Sequence, residues 1–168
     1  MQNKMVVVVA VLRSLLLIDR WVKLDSVCFG TKNNQYGSFN VPYGGKIAVL
    51  TLHHLSGYVS YQTGYITHWS FWGCGNHNVL KNHVNVVITT SSNHAILPLS
   101  QVFTHGDGKW AELPGFNSLS PEIVLPFFTA YSVNSGQEFR VWYGEDLVDF
   151  YEADNDGRVC SEVYALCL

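Results

Sequence analysis

Short runs of β-branched and aromatic residues, each closed by a cluster of turn formers, leave this chain few folds other than an antiparallel β architecture. The runs cover residues 39–41, 46–52, 58–61, 83–90, 95–99, 123–128, 139–143 and 159–166. Between them lie Pro42-Tyr43-Gly44-Gly45, Gly73-Cys74-Gly75-Asn76, Ser91-Ser92-Asn93, Gly106-Asp107-Gly108 and Asn134-Ser135-Gly136. No window sustains the i, i+3, i+4, i+7 apolar spacing of a helix for three turns. Alternation sets Phe139, Val141 and Tyr143 opposite Arg140 and Trp142, and Val84, Val86 and Ile88 opposite His83, Asn85 and Val87. Each strand is therefore expected to have an inner and an outer face. The pattern predicts an all-β fold, an antiparallel β-sandwich of jelly-roll-like type.

At 168 residues, without an internal repeat or a Pro/Gly/Ser linker, the chain reads as one sandwich domain over residues 23–168. Residues 1–22 read as a leader: Lys4 precedes an apolar run from Met5 to Ile18, as in a signal peptide, although Asp19, Arg20 and Trp21 follow where small residues would mark a cleavage site. A core strand over residues 6–12 and a gene-model artefact are the alternatives. The run is shorter than the ~20 residues that cross a bilayer, so no transmembrane segment is expected.

Charge narrows the function. Only 14% of residues are charged while 48% are apolar, which excludes intrinsic disorder and has the look of an extracellular, secreted β module. A net charge of −3 argues against nucleic acid as a partner. The distribution is polarised: all seven histidines precede Asp107, whereas most of the acids follow it. Such a surface orients partners or collects cations. Four cysteines, Cys28, Cys74, Cys160 and Cys167, allow two disulfides or leave buried free thiols, and none has zinc-finger spacing.

Two segments carry candidate chemistry. The stretch from Gly144 to Gly157 holds Glu145, Asp146, Asp149, Asp154 and Asp156, hard oxygens of the kind calcium requires. It is not an EF-hand, because Glu152 stands where the first Asp belongs and Val163 where the bidentate Glu belongs. Calcium is the one cofactor expected here, against the plainer reading of solvated turn residues. The aromatic cluster Tyr58, Tyr61, Tyr65, Trp69, Phe71 and Trp72, followed by Asn76, suits either a core or a sugar platform, since rings cover the apolar face of a sugar while amides take its hydroxyls. Trp69, Trp72 and Asn76 are its candidate ligand contacts. No nucleophile elbow, P-loop or His-Glu-x-x-His is present, so an enzyme is not expected. The remaining catalytic alternative is a small metal-dependent hydrolase using His77 or His83, or a thiol nucleophile at Cys74 beside a histidine.

The blocks Phe139-Arg140-Val141-Trp142-Tyr143-Gly144-Glu145-Asp146-Leu147 and Asp154-Asn155-Asp156-Gly157-Arg158-Val159-Cys160, with Cys28-Phe29-Gly30-Thr31 and Leu55-Ser56-Gly57-Tyr58-Val59-Ser60, resemble a module of cnidarian secreted proteins, the skeletal organic matrix proteins of stony corals. The resemblance implies an extracellular, non-enzymatic protein whose partners are glycans or extracellular matrix proteins. Where that module carries a cysteine after Gly-Tyr-Val-Ser, this chain has Tyr61, which implies that Cys74 lacks a partner and that Cys28, Cys160 and Cys167 compete for one bond. The reading is thus an extracellular binding module for glycans or matrix components, assisted by calcium, with a purely structural matrix protein as the alternative.

Overall fold

The β-rich runs form ten strands in a computed structural model that describes residues 20–168. The apolar run from Met5 to Ile18, with the alternative strand over residues 6–12, lies outside the described residues. The strands are β1 (Arg20–Gly30), β2 (Gly37–Asn40), β3 (Gly45–Ser60), β4 (Val86–Thr90), β5 (Ala95–Leu97), β6 (Phe103–His105), β7 (Trp110–Ala111), β8 (Glu122–Val133), β9 (Glu138–Tyr143) and β10 (Asp156–Cys167). One sheet has the order β1-β10-β3-β8, the other β2-β9-β4-β5, and β6 and β7 pair as a small ribbon. All pairings are antiparallel, and the two four-stranded sheets pack as a sandwich. A single turn of α-helix, α1 (Gly144–Leu147), follows β9.

Period-two alternation makes the core. Along β10, Val159, Ser161, Val163 and Ala165 are buried between the sheets while Arg158, Cys160, Glu162 and Tyr164 face outward. Val27, Phe29, Leu50, Leu52, Ile123 and Leu125 complete that inner face, opposite Phe39, Val86, Ile88, Leu97, Phe139, Val141 and Tyr143 of the second sheet. Each fully buried aliphatic or aromatic side chain contributes ~1.5–3 kcal/mol.

The structure revises the strand reading: β6 and β7 fall in no predicted run, and β4 begins at Val86 rather than at residue 83. Residues 46–52 and 58–60 belong to one strand, β3, because a register shift opposite Cys160 and Ser161 absorbs the interruption, and Tyr61 falls just beyond it. Gly57 permits this: its φ of +83° is left-handed, and a Cβ there would collide with the Arg158 carbonyl. Strand β1 was not legible, and it begins at Arg20, ahead of the expected domain start at Lys23. Residues 83–90 are buried on both faces rather than one, because other segments roof the outer face. Trp142 donates from its indole to Thr89 Oγ1 at 3.2 Å, and Tyr36 lies over Trp142 with ring centroids 4.6 Å apart.

Cys28 and Cys160 oppose each other across β1 and β10 and form a disulfide. Cys74 is a buried free thiol, as the tyrosine at position 61 implied, and Cys167 is a second, half-buried one. Among the described residues no helix is long and apolar enough to cross a membrane.

Candidate functional site

The segment between β3 and β4 closes one end of the sandwich. It is rich in Gly and polar residues, so it cannot extend the sheets and folds back instead, through a 3-10 turn at Ile66–His68. Isolated bridges Val59 with Ser70 and Gly73 with Val84 tie it down. Trp72 is completely buried and donates from its indole N–H to the Ser120 carbonyl at 2.7 Å. This corrects the expectation for Trp72, whose ring packs in the core and offers no face to a ligand. Trp69 turns the other way. It stays half-exposed and, with Tyr58 and Ile66, lines an open groove of about 430 Å³. Its ring passes so close to Gly157 that a Cβ there would come within 2.7 Å of Trp69 Cζ3. Asn76 is exposed on the same loop, held by backbone bonds from Gly75 to His68 and from Asn76 to Thr67.

Four further residues of this loop were not among the candidate ligand contacts, although Tyr61 and Tyr65 belong to the aromatic cluster. The Tyr61 hydroxyl is 2.9 Å from His77 Nε2, His68 lies 5.3 Å from His77 between ring centroids, and Tyr65 covers His68 at 4.8 Å. Burial, followed by the influence of Cys74 and Glu145, raises the Tyr61 pKa, while burial and His68 lower that of His77. His68 Nδ1 is buried with no partner. The clue was the recurrence of Tyr and His over residues 61–77, which has no strand period.

The acidic segment divides. Glu145 and Asp146 sit in α1 and are buried; Asp149, Asp154 and Asp156 are exposed. Glu145 Oε1 accepts the Trp110 indole N–H at 2.9 Å and Oε2 the Asn155 amide at 3.1 Å. Its backbone N–H donates to Asn85 Oδ1 at 3.0 Å, and the Asn85 amide donates to the Gly108 carbonyl. Burial pushes the Glu145 carboxyl up to about 7 against these two side-chain bonds, and Asp154 adds to the rise. Asp146 accepts the backbone N–H groups of Asn34 and Gln35 at 2.7 and 2.9 Å; burial and Glu152 raise it to about 6. Asp156 accepts the Gly157 N–H and lies 3.7 Å from Lys32 Nζ. The five carboxylates therefore do not converge, and among the described residues no group of three His, Cys, Asp or Glu side chains is arranged to hold a metal. Beside Glu145, however, Asn155 Oδ1 is a buried acceptor without a hydrogen-bond donor, as is Thr31 Oγ1 nearby, whose residue's carbonyl Asn155 contacts.

For the catalytic alternatives, the described residues bring no three His, Cys, Asp or Glu side chains together around His77 or His83. His83 faces His105, with centroids 5.6 Å apart, whereas His77 faces Tyr61. Burial, with a smaller push from Glu145, raises the Cys74 thiol to about 12, so it stays protonated and is a poor nucleophile near neutral pH.

No protein-family model matches the chain, and no curated protein matches it. Among solved structures it is similar to AJLec, a lectin from the sea anemone Anthopleura japonica, with 33% identity and a TM-score of 0.80 over 89% of this chain and 98% of that one. The lectin domain of lectinolysin complexed with Lewis B antigen aligns at 13% identity and a TM-score of 0.36, covering 85% of this chain and 72% of that one. The cnidarian resemblance is thus shown at the level of a sea anemone lectin.

Proposed function

The chain belongs to the family of the sea anemone lectin AJLec, and on that premise we propose that it is an extracellular glycan-binding module whose site is the sandwich end built by residues 61–85 and 144–156. One observation carries this reading: a third of the residues are shared with a lectin over nearly the whole of both chains. The disulfide between Cys28 and Cys160 fits an oxidising, secreted setting. The mechanism is recognition without chemistry.

At that end Trp69 presents a half-exposed ring to the apolar face of a sugar, and Asn76, Tyr61 and His77 are within the same loop to meet its hydroxyls. Calcium is proposed as the auxiliary ion. The residues that fit it are Glu145, Asp154 and Asn155, because a carboxyl raised by burial and a neighbouring carboxylate, next to an orphaned amide oxygen, is what a cation would relieve. A bound calcium would supply a Lewis-acidic contact for sugar hydroxyls. Asp146, Asp149 and Asp156 are left out of this set: the first is clamped onto the loop at Asn34 and Gln35, Asp156 is engaged by the Gly157 N–H and Lys32, and Asp149 is exposed.

The test is a glycan array followed by calorimetry, in calcium and in chelator. The expected result is retention of neutral glycans in calcium, lost with chelator, and an affinity about tenfold weaker for Trp69→Ala. A wild-type chain that retains no glycan under either condition would sink the reading, and calcium-independent binding would remove the ion alone.

A further inference from the structure

A second concavity lies apart from the Trp69 groove and shares no lining residue with it. It is about 560 Å³, within the ~300–1,000 Å³ typical of small-ligand sites. Its mouth carries Asn82, Gln101, Thr104, Glu112 and Asn117, all exposed. Among the described residues the side chains of Asn82, Gln101 and Glu112 make no hydrogen bond or ion pair, so their polar ends are free for a ligand. Asn117 is pre-positioned: its Oδ1 accepts the Leu119 N–H at 2.8 Å and its backbone N–H donates to Ser120 Oγ at 2.9 Å, which leaves its amide N–H₂ for the groove. The turn that presents Phe116 is closed by a bond from Phe116 N–H to the Leu113 carbonyl and by the left-handed Gly115, φ +83°.

Behind the mouth the lining changes character. An apolar slot of about 240 Å³ continues from the shared residues Val102, Leu113, Pro114 and Phe116 to Val124 and Pro126. No Lys or Arg lines either part, and Glu112 is the one charged side chain among them. An anionic ligand would meet an unpaired carboxylate with no cation to offset it, so sulfated or sialylated sugars, nucleotides and phosphates are disfavoured.

We propose that this concavity is a second binding site, which takes an uncharged sugar carrying a compact apolar aglycone: the amides and carboxylate of the mouth take the sugar hydroxyls, and the slot takes the aglycone. Hydroxyl-rich ligands need several convergent polar ends that are not already satisfied, and the mouth supplies them around one aromatic edge. The apolar slot separates this ligand class from a plain monosaccharide, because burial of alkyl surface is what the second compartment adds. The site stands on its own lining and does not require that Trp69 bind glycans.

The experiment uses the full chain with octyl β-D-glucopyranoside below its micelle concentration, methyl β-D-glucopyranoside, and a sugar-free octyl oligo(ethylene glycol) ether. Affinity is read by calorimetry, and location by amide chemical-shift mapping. The octyl glucoside is expected to bind about tenfold or more tightly than the methyl glucoside and than the ether. Its shifts should centre on Asn82, Thr104 and Phe116, be unchanged in Trp69→Ala and be lost in Val102→Trp, which fills the junction of mouth and slot. Should Val102→Trp fail to fold, Glu112→Arg with Asn117→Ala at the exposed mouth gives the same readout and should weaken binding at least fivefold. Equal affinity for the ether and the octyl glucoside, shifts centred on Trp69, or full binding by the mouth variant would each overturn the proposal. Loss of array binding in Trp69→Ala with octyl glucoside binding intact would leave this site standing independently of the first.

Discussion

The body of the sandwich and its loop-built end are held by different forces. In the body, Leu50, Leu52, Ile88 and Val163 are fully buried, and their backbone groups are satisfied within the sheets. At the end, the backbone is irregular and polar side chains replace the missing ladder: Asn85 joins Gly108 to α1, Glu145 joins Trp110 to Asn155, and Ser118 caps the Cys74 and Lys81 carbonyls. Apolar burial is insensitive to pH and tolerates local substitution only by leaving cavities. A buried polar network is sensitive to protonation, because each member is costly when left unpaired. The end that offers groups to a ligand is therefore also the part whose stability titrates.

Four measurements bear on that contrast. Leu50→Ala should cost ~2–5 kcal/mol, with a similar fall in Tm at pH 5 and pH 8, since no ionisable group is involved. A loss that changed strongly with pH would show that body and end are not separable. Asn85→Ala should cost ~1–3 kcal/mol by orphaning the Glu145 N–H and the Gly108 carbonyl, and should also weaken glycan binding. A cost like that of a surface substitution would mean that the network merely decorates the end.

Glu145 gives the sharper test. Its folded pKa of about 7 lies above its ordinary 4.5, so the native state holds the proton more tightly than the unfolded chain. Stability is then greatest below about 4.5 and falls as pH rises to about 7. In chelator the Tm at pH 5 should exceed that at pH 8, and Glu145→Gln should flatten most of the slope, leaving a smaller one below about 6 from Asp146, which is raised in the same sense. At pH 8 added calcium should restore the wild-type Tm and not that of the variant. An unaltered slope in Glu145→Gln would assign the titration elsewhere. The smallest change in stability is expected for Trp69→Ala, within ~0.5 kcal/mol if the ring is mainly a ligand platform, while its binding defect is large. A Tm loss of several degrees would make Trp69 a packing residue against Gly157.

The sandwich body was legible because its strands are runs of β-branched and aromatic residues closed by turn formers: β9 and β10 appear within a few residues of the predicted runs, and β8 covers its run and continues to Val133. β1 escaped because Lys23, Asp25 and Ser26 break its apolar residues into short pieces and a register shift between Lys23 and Asp25 interrupts the alternation. The site was legible only as a neighbourhood. The sequence singled out the aromatic segment and the acidic segment, but not that Trp69 and Trp72, three positions apart, take opposite fates in a loop without a repeat. Nor could it show that Tyr61 and His77 meet, since their contact depends on a fold-back closed by Ser70 and Gly75.

The sequence by itself determined an all-β fold and a chain of low charge built around β-branched and aromatic strands, because local alternation and turn chemistry are properties of neighbouring residues. Tertiary structure decided which carboxylates are buried, which cysteines pair and which rings face solvent. Those outcomes depend on residues brought together from distant strands: Cys28 reaches Cys160 across a sequence separation of 132, and Glu145 reaches Trp110 across 35, and no local pattern encodes such meetings.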